Sequence, residues 1–221
     1  LPEGTYSTTA TVTTTDAVGN SATSSTSFDV DTEVANPVIE DVTFNGEDVS
    51  KITINAEAET DYSINTLNAD GSSQQLNAAS FDLGGGETLY NFSPNVSDGT
   101  HLVISAEDEA GNQSDTMVVL DDNATNSGTL DHAQTGNFQI EAIELDYASD
   151  SALTLTEAQI RDLSDTSDTL TVHGGADDQL TVTGAVKTAE TRSIEGEDYD
   201  VYTLGDDGVT LVVDQDITVV I

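Results

Sequence analysis

The chain has 221 residues, and 42 acidic against 4 basic side chains leave a formal net charge of −38. Nucleic-acid binding and electrostatic docking on an anionic membrane both need clustered Lys and Arg, so both are excluded, and the natural partner of such a chain is a cation. The absence of Cys removes disulfides and thiol nucleophiles, and 36% hydrophobic with 5% aromatic residues puts the composition near the limit at which burial offsets chain entropy.

No run of about 18 apolar residues is present, so no membrane insertion is expected. The opening Leu1-Pro2-Glu3-Gly4-Thr5-Tyr6 carries no basic patch followed by an apolar stretch, and no signal peptide is expected within the chain. From residue 5 to residue 120, period-two alternation with β-branched residues dominates, which predicts strands. Residues 1–34 read as the two closing strands of an Ig-like module. In Phe28-Asp29-Val30-Asp31 the period of two should send the apolar pair inward and both carboxylates outward. A lone hairpin is marginal in water, so this one is expected to pack on something. The joint from Asp29 to Pro37 is short and acidic, either a stiff hinge or a cation site.

Residues 35–122 read as one Ig-like β-sandwich of about seven strands. Ile52, Ile54 and Ala56 alternate with polar neighbours, as do Leu102, Ile104 and Ala106, and turn signals fall at Asn45-Gly46, Asp70-Gly71, Gly84-Gly85-Gly86, Asp98-Gly99 and Gly111-Asn112. The module repeats the hairpin before it. Asp16-Ala17-Val18-Gly19-Asn20 recurs as Asp108-Glu109-Ala110-Gly111-Asn112, and Phe28-Asp29 recurs as Leu120-Asp121.

After Asp122 the pattern changes, and residues 126–221 read as a β-rich module with one short helix. Phe138, Ile140, Ile143 and Leu145 suggest a strand. Thr156 followed by Gln159 has capping-box spacing and predicts a helix over 156–163, with Leu155, Ile160 and Leu163 as its buried stripe. Further strands are expected at Thr169–His173, Leu180–Thr183, Tyr199–Leu204, Val209–Val213 and Ile217–Ile221.

The stretch from Gly4 to Thr32, with Thr15-Asp16-Ala17-Val18-Gly19-Asn20 at its centre and Phe28-Asp29-Val30-Asp31-Thr32 at its end, resembles the closing strands of bacterial Ig-like repeats in giant type I secreted adhesins of the RTX class. Leu153-Thr154-Leu155-Thr156 with Asp162-Leu163-Ser164-Asp165 and Asp168-Thr169-Leu170-Thr171-Val172 is similar to a module near the ligand-binding and C-terminal regions of such adhesins. The resemblance implies a non-catalytic, extracellular, calcium-loaded segment at the bacterial cell surface, serving adhesion or biofilm formation within a much longer chain. Its partners would be calcium ions, adjacent modules, and a peptide or glycan on a host or microbial surface. The chain departs from the class in lacking a tandem Gly-Gly-x-Gly-x-Asp array; Gly174-Gly175-Ala176-Asp177-Asp178 is one degenerate approximation, so this segment is not expected to be the β-roll of an RTX tail.

Calcium takes six to eight oxygen ligands, usually from loops at strand ends, and the acids lie there. Asp16 and Asp108 open tight turns. Asp29, Asp31, Asp121 and Asp122 lie at module boundaries, and Asp162, Asp165 and Asp168 follow the helix at a spacing of three. These nine are the candidate metal ligands. The structural alternatives are an Asx turn for the first pair, and solvated or capping acids for the rest. The EF-hand pattern is absent. His101, His132 and His173 read as surface or satisfied histidines, Arg161 and Arg192 as structural ion-pair partners. With no nucleophile elbow or phosphate loop, no enzyme is expected, and a hydrolase built on paired acids is a distant third reading. The second reading makes the last module a receptor domain that binds a peptide or sugar through a calcium-organised loop.

Overall fold

The structure, a computed structural model, describes residues 4–68, 72–97, 99–120, 135, 138–164, 166–205 and 208–221. The chain is mainly β, in several sheets, with one helix among these residues, as the sequence predicts.

Strands β1 (Thr5–Thr15) and β2 (Ser21–Asp31) pair antiparallel along their whole length, with Thr5 opposite Asp31 and Thr15 opposite Ser21. One face is a ladder of cross-strand hydroxyls. Thr9 meets Ser27, Thr11 meets Ser25 and Thr13 meets Thr23, each at 3.0 Å, and Thr15 meets Ser21 at 2.8 Å. Such pairs fix register without any core. The other face carries Tyr6, Ala10, Val12, Phe28 and Val30. Phe28 and Val30 were expected to point inward; they do leave the carboxylate face, but Phe28 is 49% and Val12 64% exposed because no sheet of the described residues covers them.

The sandwich has eight strands, one more than expected, because a three-residue edge strand interrupts a loop. They are β3 (Val38–Asn45), β4 (Asp48–Asn55), β5 (Thr60–Leu67), β6 (Ser73–Gln75), β7 (Ala79–Gly84), β8 (Glu87–Val96), β9 (His101–Asp108) and β10 (Gln113–Val118). One sheet runs β3-β4-β8-β7; the other begins β6-β5-β9-β10. Between them Ile39, Val42, Ile52, Ile54 and Phe92 pack on Ile64, Leu102, Ile104 and Val118.

The second sheet does not end at β10. Strand β11 (Ile140–Glu144) joins it in parallel, Thr116 opposite Ala142 and Met117 opposite Ile143. Beyond it come β13 (Thr169–His173) and β17 (Val209–Asp214), also parallel, then β16 (Glu197–Leu204) and β15 (Val186–Ile194), antiparallel, for nine strands in all. A third, parallel sheet holds β12 (Ala152–Leu155), β14 (Gln179–Val182) and β18 (Thr218–Val220). The chain alternates between these two parallel sheets, β11 to β12, β13 to β14, β17 to β18, and so winds three coils of a solenoid. Ile143, Leu153, Leu155, Leu170, Val172, Leu180, Leu211 and Val213 fill its interior. The β15–β16 hairpin is an insertion between the last two coils.

Helix α1 (Glu157–Leu163) is the insertion between the first two coils. Its capping box is the predicted one: Thr156 Oγ1 accepts from the Gln159 amide at 3.3 Å, and Gln159 Oε1 accepts from the Thr156 amide at 3.0 Å. Ile160 and Leu163 are buried as expected. Leu155 is buried too, but in β12, because the residue before an N-cap keeps extended backbone.

Met117, Val103, Val119 and Leu67 belong to the same apolar cluster as the solenoid interior, so the sheet and its core run through the boundary that the sequence suggests at 122–126. Strands β9 and β10 are covered on both faces. The continuous runs Leu102-Val103-Ile104 and Met117-Val118-Val119-Leu120 carry that information, which the alternation read from Leu102, Ile104 and Ala106 passes over.

Candidate cation-binding joint

The repeated five-residue motif forms the same turn twice. In the first copy the Asp16 amide donates to Asn20 O at 2.9 Å and the Gly19 amide to Asp16 O at 3.1 Å; in the second, Asp108 and Asn112 close at 3.1 Å, as do Gly111 and Asp108. Gly19 at φ 93° and Gly111 at φ 85° supply the backbone that only glycine adopts without strain. Both carboxylates are engaged in the turn. Asp16 accepts from the amides of Val18 and Asn20 and from the Asn20 side chain, and Asp108 accepts from the Asn112 amide at 2.8 Å and its side chain at 2.7 Å. The Asn20 side chain holds the Asp16 carboxyl below its ordinary range. Burial pushes Asp108 up, but hydrogen bonds from Asn112 outweigh it and the net shift is downward.

A hairpin turn and a module joint meet at one end of the sandwich. Because Thr60 of β5 lies opposite Asp108 of β9, the Glu57-Ala58-Glu59 turn stands beside the Asp108-Glu109-Ala110 turn. The base of the β1–β2 hairpin and the linker close over them. The resulting cavity of about 510 Å³ is lined by Asp31, Glu33, Glu57, Glu59, Asp108 and Glu109, with no basic residue on its wall. Asp31 accepts from Thr5 Oγ1 at 3.3 Å and from the Glu33 amide at 3.4 Å. Asp29 lies two residues along the same face and accepts from Ser7 Oγ at 2.6 Å. Six carboxylates from three chain segments suit a hard, oxygen-seeking cation in donor type and charge. Among the described residues, no three acidic or imidazole groups converge on a single point as they stand.

The structure thus brings Asp31 and Asp108 together and leaves Asp16 about a strand length away, at the far tip of the hairpin. Glu33, Glu57, Glu59 and Glu109 were missed by sequence reasoning; the signal that could have found them is the strand pairing that puts the 57–59 and 108–110 turns at one end. Asp121, Asp122 and Asp165 lie outside the described residues. Asp162 and Asp168 are exposed, and the neighbouring cation is the chain's own Arg161, whose Nη2 is 3.2 Å from Glu157 Oε1 and whose Nη1 is 4.0 Å from Asp168 Oδ1. Arg192 pairs with Glu190 at 3.2 Å, so both arginines take the ion-pairing role expected of them.

The solenoid carries a second polar centre, which the sequence did not reveal. Glu144 and His173 are neighbours in parallel register, with Glu144 Oε1 3.9 Å from His173 Nε2, and His173 Nδ1 hydrogen-bonds the Tyr199 hydroxyl at 2.7 Å. Burial, then Asp146, Glu195 and Asp214, raise Glu144 to about 8, and burial lowers His173 to about 4. At neutral pH the two are a neutral acid beside a neutral imidazole. His101 is also satisfied, accepting from the Leu120 amide at 3.2 Å; His132 lies outside the described residues.

The Gly174-Gly175-Ala176-Asp177-Asp178 segment turns one coil into the next sheet. Asp178 accepts from the Gly175 amide at 2.8 Å and the Ser151 amide at 3.0 Å, and a Cβ on Gly174 would come within 2.8 Å of the Asp178 carboxylate. No helix of the described residues is long and apolar enough to cross a membrane. No protein-family model matches the chain, and no curated protein matches it either.

Proposed function

We propose that this chain is a non-catalytic extracellular segment of a large bacterial adhesin, in which calcium stiffens the joint between the N-terminal hairpin and the sandwich. The observation that carries this reading is the cavity at that joint, walled by six carboxylates and no basic side chain. Like charges so placed repel, and a divalent cation that bridges them stabilises the folded joint by mass action, about 2.7 kcal/mol at a hundredfold excess over Kd. Asp31 and Glu33 from the linker, Glu57 and Glu59 from one turn, and Asp108 and Glu109 from the other would hold it. The resemblance of both turn-bearing hairpins to Ig-like repeats of secreted adhesins, and the acidic charge of the whole chain, support a cell-surface location reached by type I secretion.

The test is a calorimetric calcium titration of the chelator-treated protein, with small-angle scattering of both forms. Calcium should bind with a defined stoichiometry and narrow the range of hairpin orientations, and Glu33→Gln with Glu59→Gln together should weaken that binding at least tenfold. Featureless uptake of calcium, with scattering and melting unchanged by chelator, would sink the proposal.

A further inference from the structure

We infer that the sandwich holds a binding site for a neutral, polyhydroxylated ligand, a carbohydrate, in the cavity between the β5–β6 end and an outward arch of β8.

The arch has a clear origin in the register. Lys51 pairs with Asn91 and Val49 with Val96, so β8 spends five steps where β4 spends two, and residues 92–95 bulge out of register with β4. Opposite the arch, the short edge strand β6 folds back on the end of β5, held by Thr66 Oγ1 to Gln74 O at 3.3 Å and by the Leu76 amide to Ile64 O at 2.8 Å. The space between is about 410 Å³, within the range of small-ligand sites, with Phe92 as its floor.

Its chemistry differs from that of the rest of the surface. In a chain with 21% charged residues, none of the described residues lining this cavity carries a charge. The side-chain amides of Gln74, Gln75, Asn77 and Asn95 line it and make no side-chain hydrogen bond among the described residues. Each carboxamide offers two N–H donors and a carbonyl acceptor, the complement of a vicinal pair of hydroxyls that both donate and accept. Leu76 and Pro94 supply apolar surface for the C–H face of a sugar ring. An anion is turned away by the net charge, and a cation finds its carboxylates at the other joint instead. Neutral hydroxyls match what is left.

The site does not rest on calcium, so the test is run on the whole chain in both calcium and chelator. The probes are neutral oligosaccharides: maltohexaose, cellohexaose, isomaltotriose and N-acetyllactosamine, at roughly millimolar concentration, observed by saturation-transfer NMR. At least one should bind in both buffers, and Gln75→Ala and Asn95→Ala should each weaken it about tenfold, the effect of one hydrogen bond to a desolvated partner, while melting stays within a degree. Silence across the panel, binding that survives both substitutions, or binding of a neutral Asn- and Gln-rich peptide in place of every sugar would overturn the assignment. A failed calcium titration would leave it standing.

Discussion

The sandwich is entered and left in two different ways. Residues 32–37 lead from β2 into β3 past a cavity walled by carboxylates, and the two strands before them form a sheet of their own. On the other side β10 continues laterally into β11, so sandwich and solenoid share one nine-stranded sheet and one apolar cluster. The second connection is reinforced by direct ties. The Asp115 amide donates to Gln139 O at 2.8 Å and the Tyr147 hydroxyl to Ile39 O at 2.9 Å, whereas the bonds from Ser114 Oγ to Asn36 Oδ1 at 2.5 Å and from Thr116 Oγ1 to Pro37 O at 2.7 Å tie the end of the entry linker to β10. Buried Asp115 accepts from the Gln139 amide and from Gln113 Nε2, and burial raises its carboxyl above the ordinary range. The contrast sets a joint made by packing and a shared sheet against one whose wall is carboxylate, where like charges oppose close approach.

The largest blow to this contrast would come from the shared core. Ile143 is fully buried beneath the sheet that joins the two regions. Ile143→Ala should cost about 2–5 kcal/mol and lower the melting of sandwich and solenoid together, in a single transition followed by near-ultraviolet circular dichroism and hydrogen exchange. A sandwich that keeps its stability while the solenoid melts would break the idea of one cooperative body.

Next in size is Glu144. The folded protein holds its proton to about pH 8, whereas the unfolded chain releases it near the ordinary carboxyl value of 4.5. Stability should therefore fall as pH rises between those values, and Glu144→Gln should recover up to about 5 kcal/mol at pH 9 and almost nothing at pH 4.5. His173 acts on the other side. The unfolded chain binds a proton near 6.5 that the folded imidazole refuses down to about 4, so stability falls as pH drops through that window. Urea melts of the parent and Glu144→Gln proteins across pH 4 to 9 separate the two limbs; a variant with the parent's alkaline loss would show that another group carries it.

The smallest effect gives the cleanest comparison, because the same turn occurs twice. Gly111 and Gly19 have nearly the same positive φ and open space where a Cβ would go. Gly111→Ala should cost about 1 kcal/mol in the main transition. Gly19→Ala, in the ribbon outside the shared sheet, should leave that transition untouched and show only as faster exchange of the β1 and β2 amides. Equal losses at both sites would mean the hairpin is part of the cooperative unit after all.

Local features were legible in the sequence. The Asp-x-x-Gly-Asn turn, the Thr156–Gln159 capping box, and the strands at Thr169–His173 and Val209–Asp214 each depend on residues within a few positions of one another. The candidate site was half legible: Asp31 and Asp108 were singled out, but Glu57 and Glu59 belong to it only because β5 lies beside β9.

The acidic balance, the alternation, the repeated turn and the capped helix at 157–163 were settled by the sequence by itself, since charge is additive and backbone preference acts over one or two turns of chain. Tertiary structure alone decided that the last region winds in parallel coils, that the sandwich sheet runs into it, and that Phe28 stays open while the equivalent Leu120 is buried. Those outcomes hang on pairs such as Met117 with Ile143 and Tyr147 with Ile39, far apart along the chain. No local preference distinguishes one long-range partner from another; the apolar area that each pairing hides from water does.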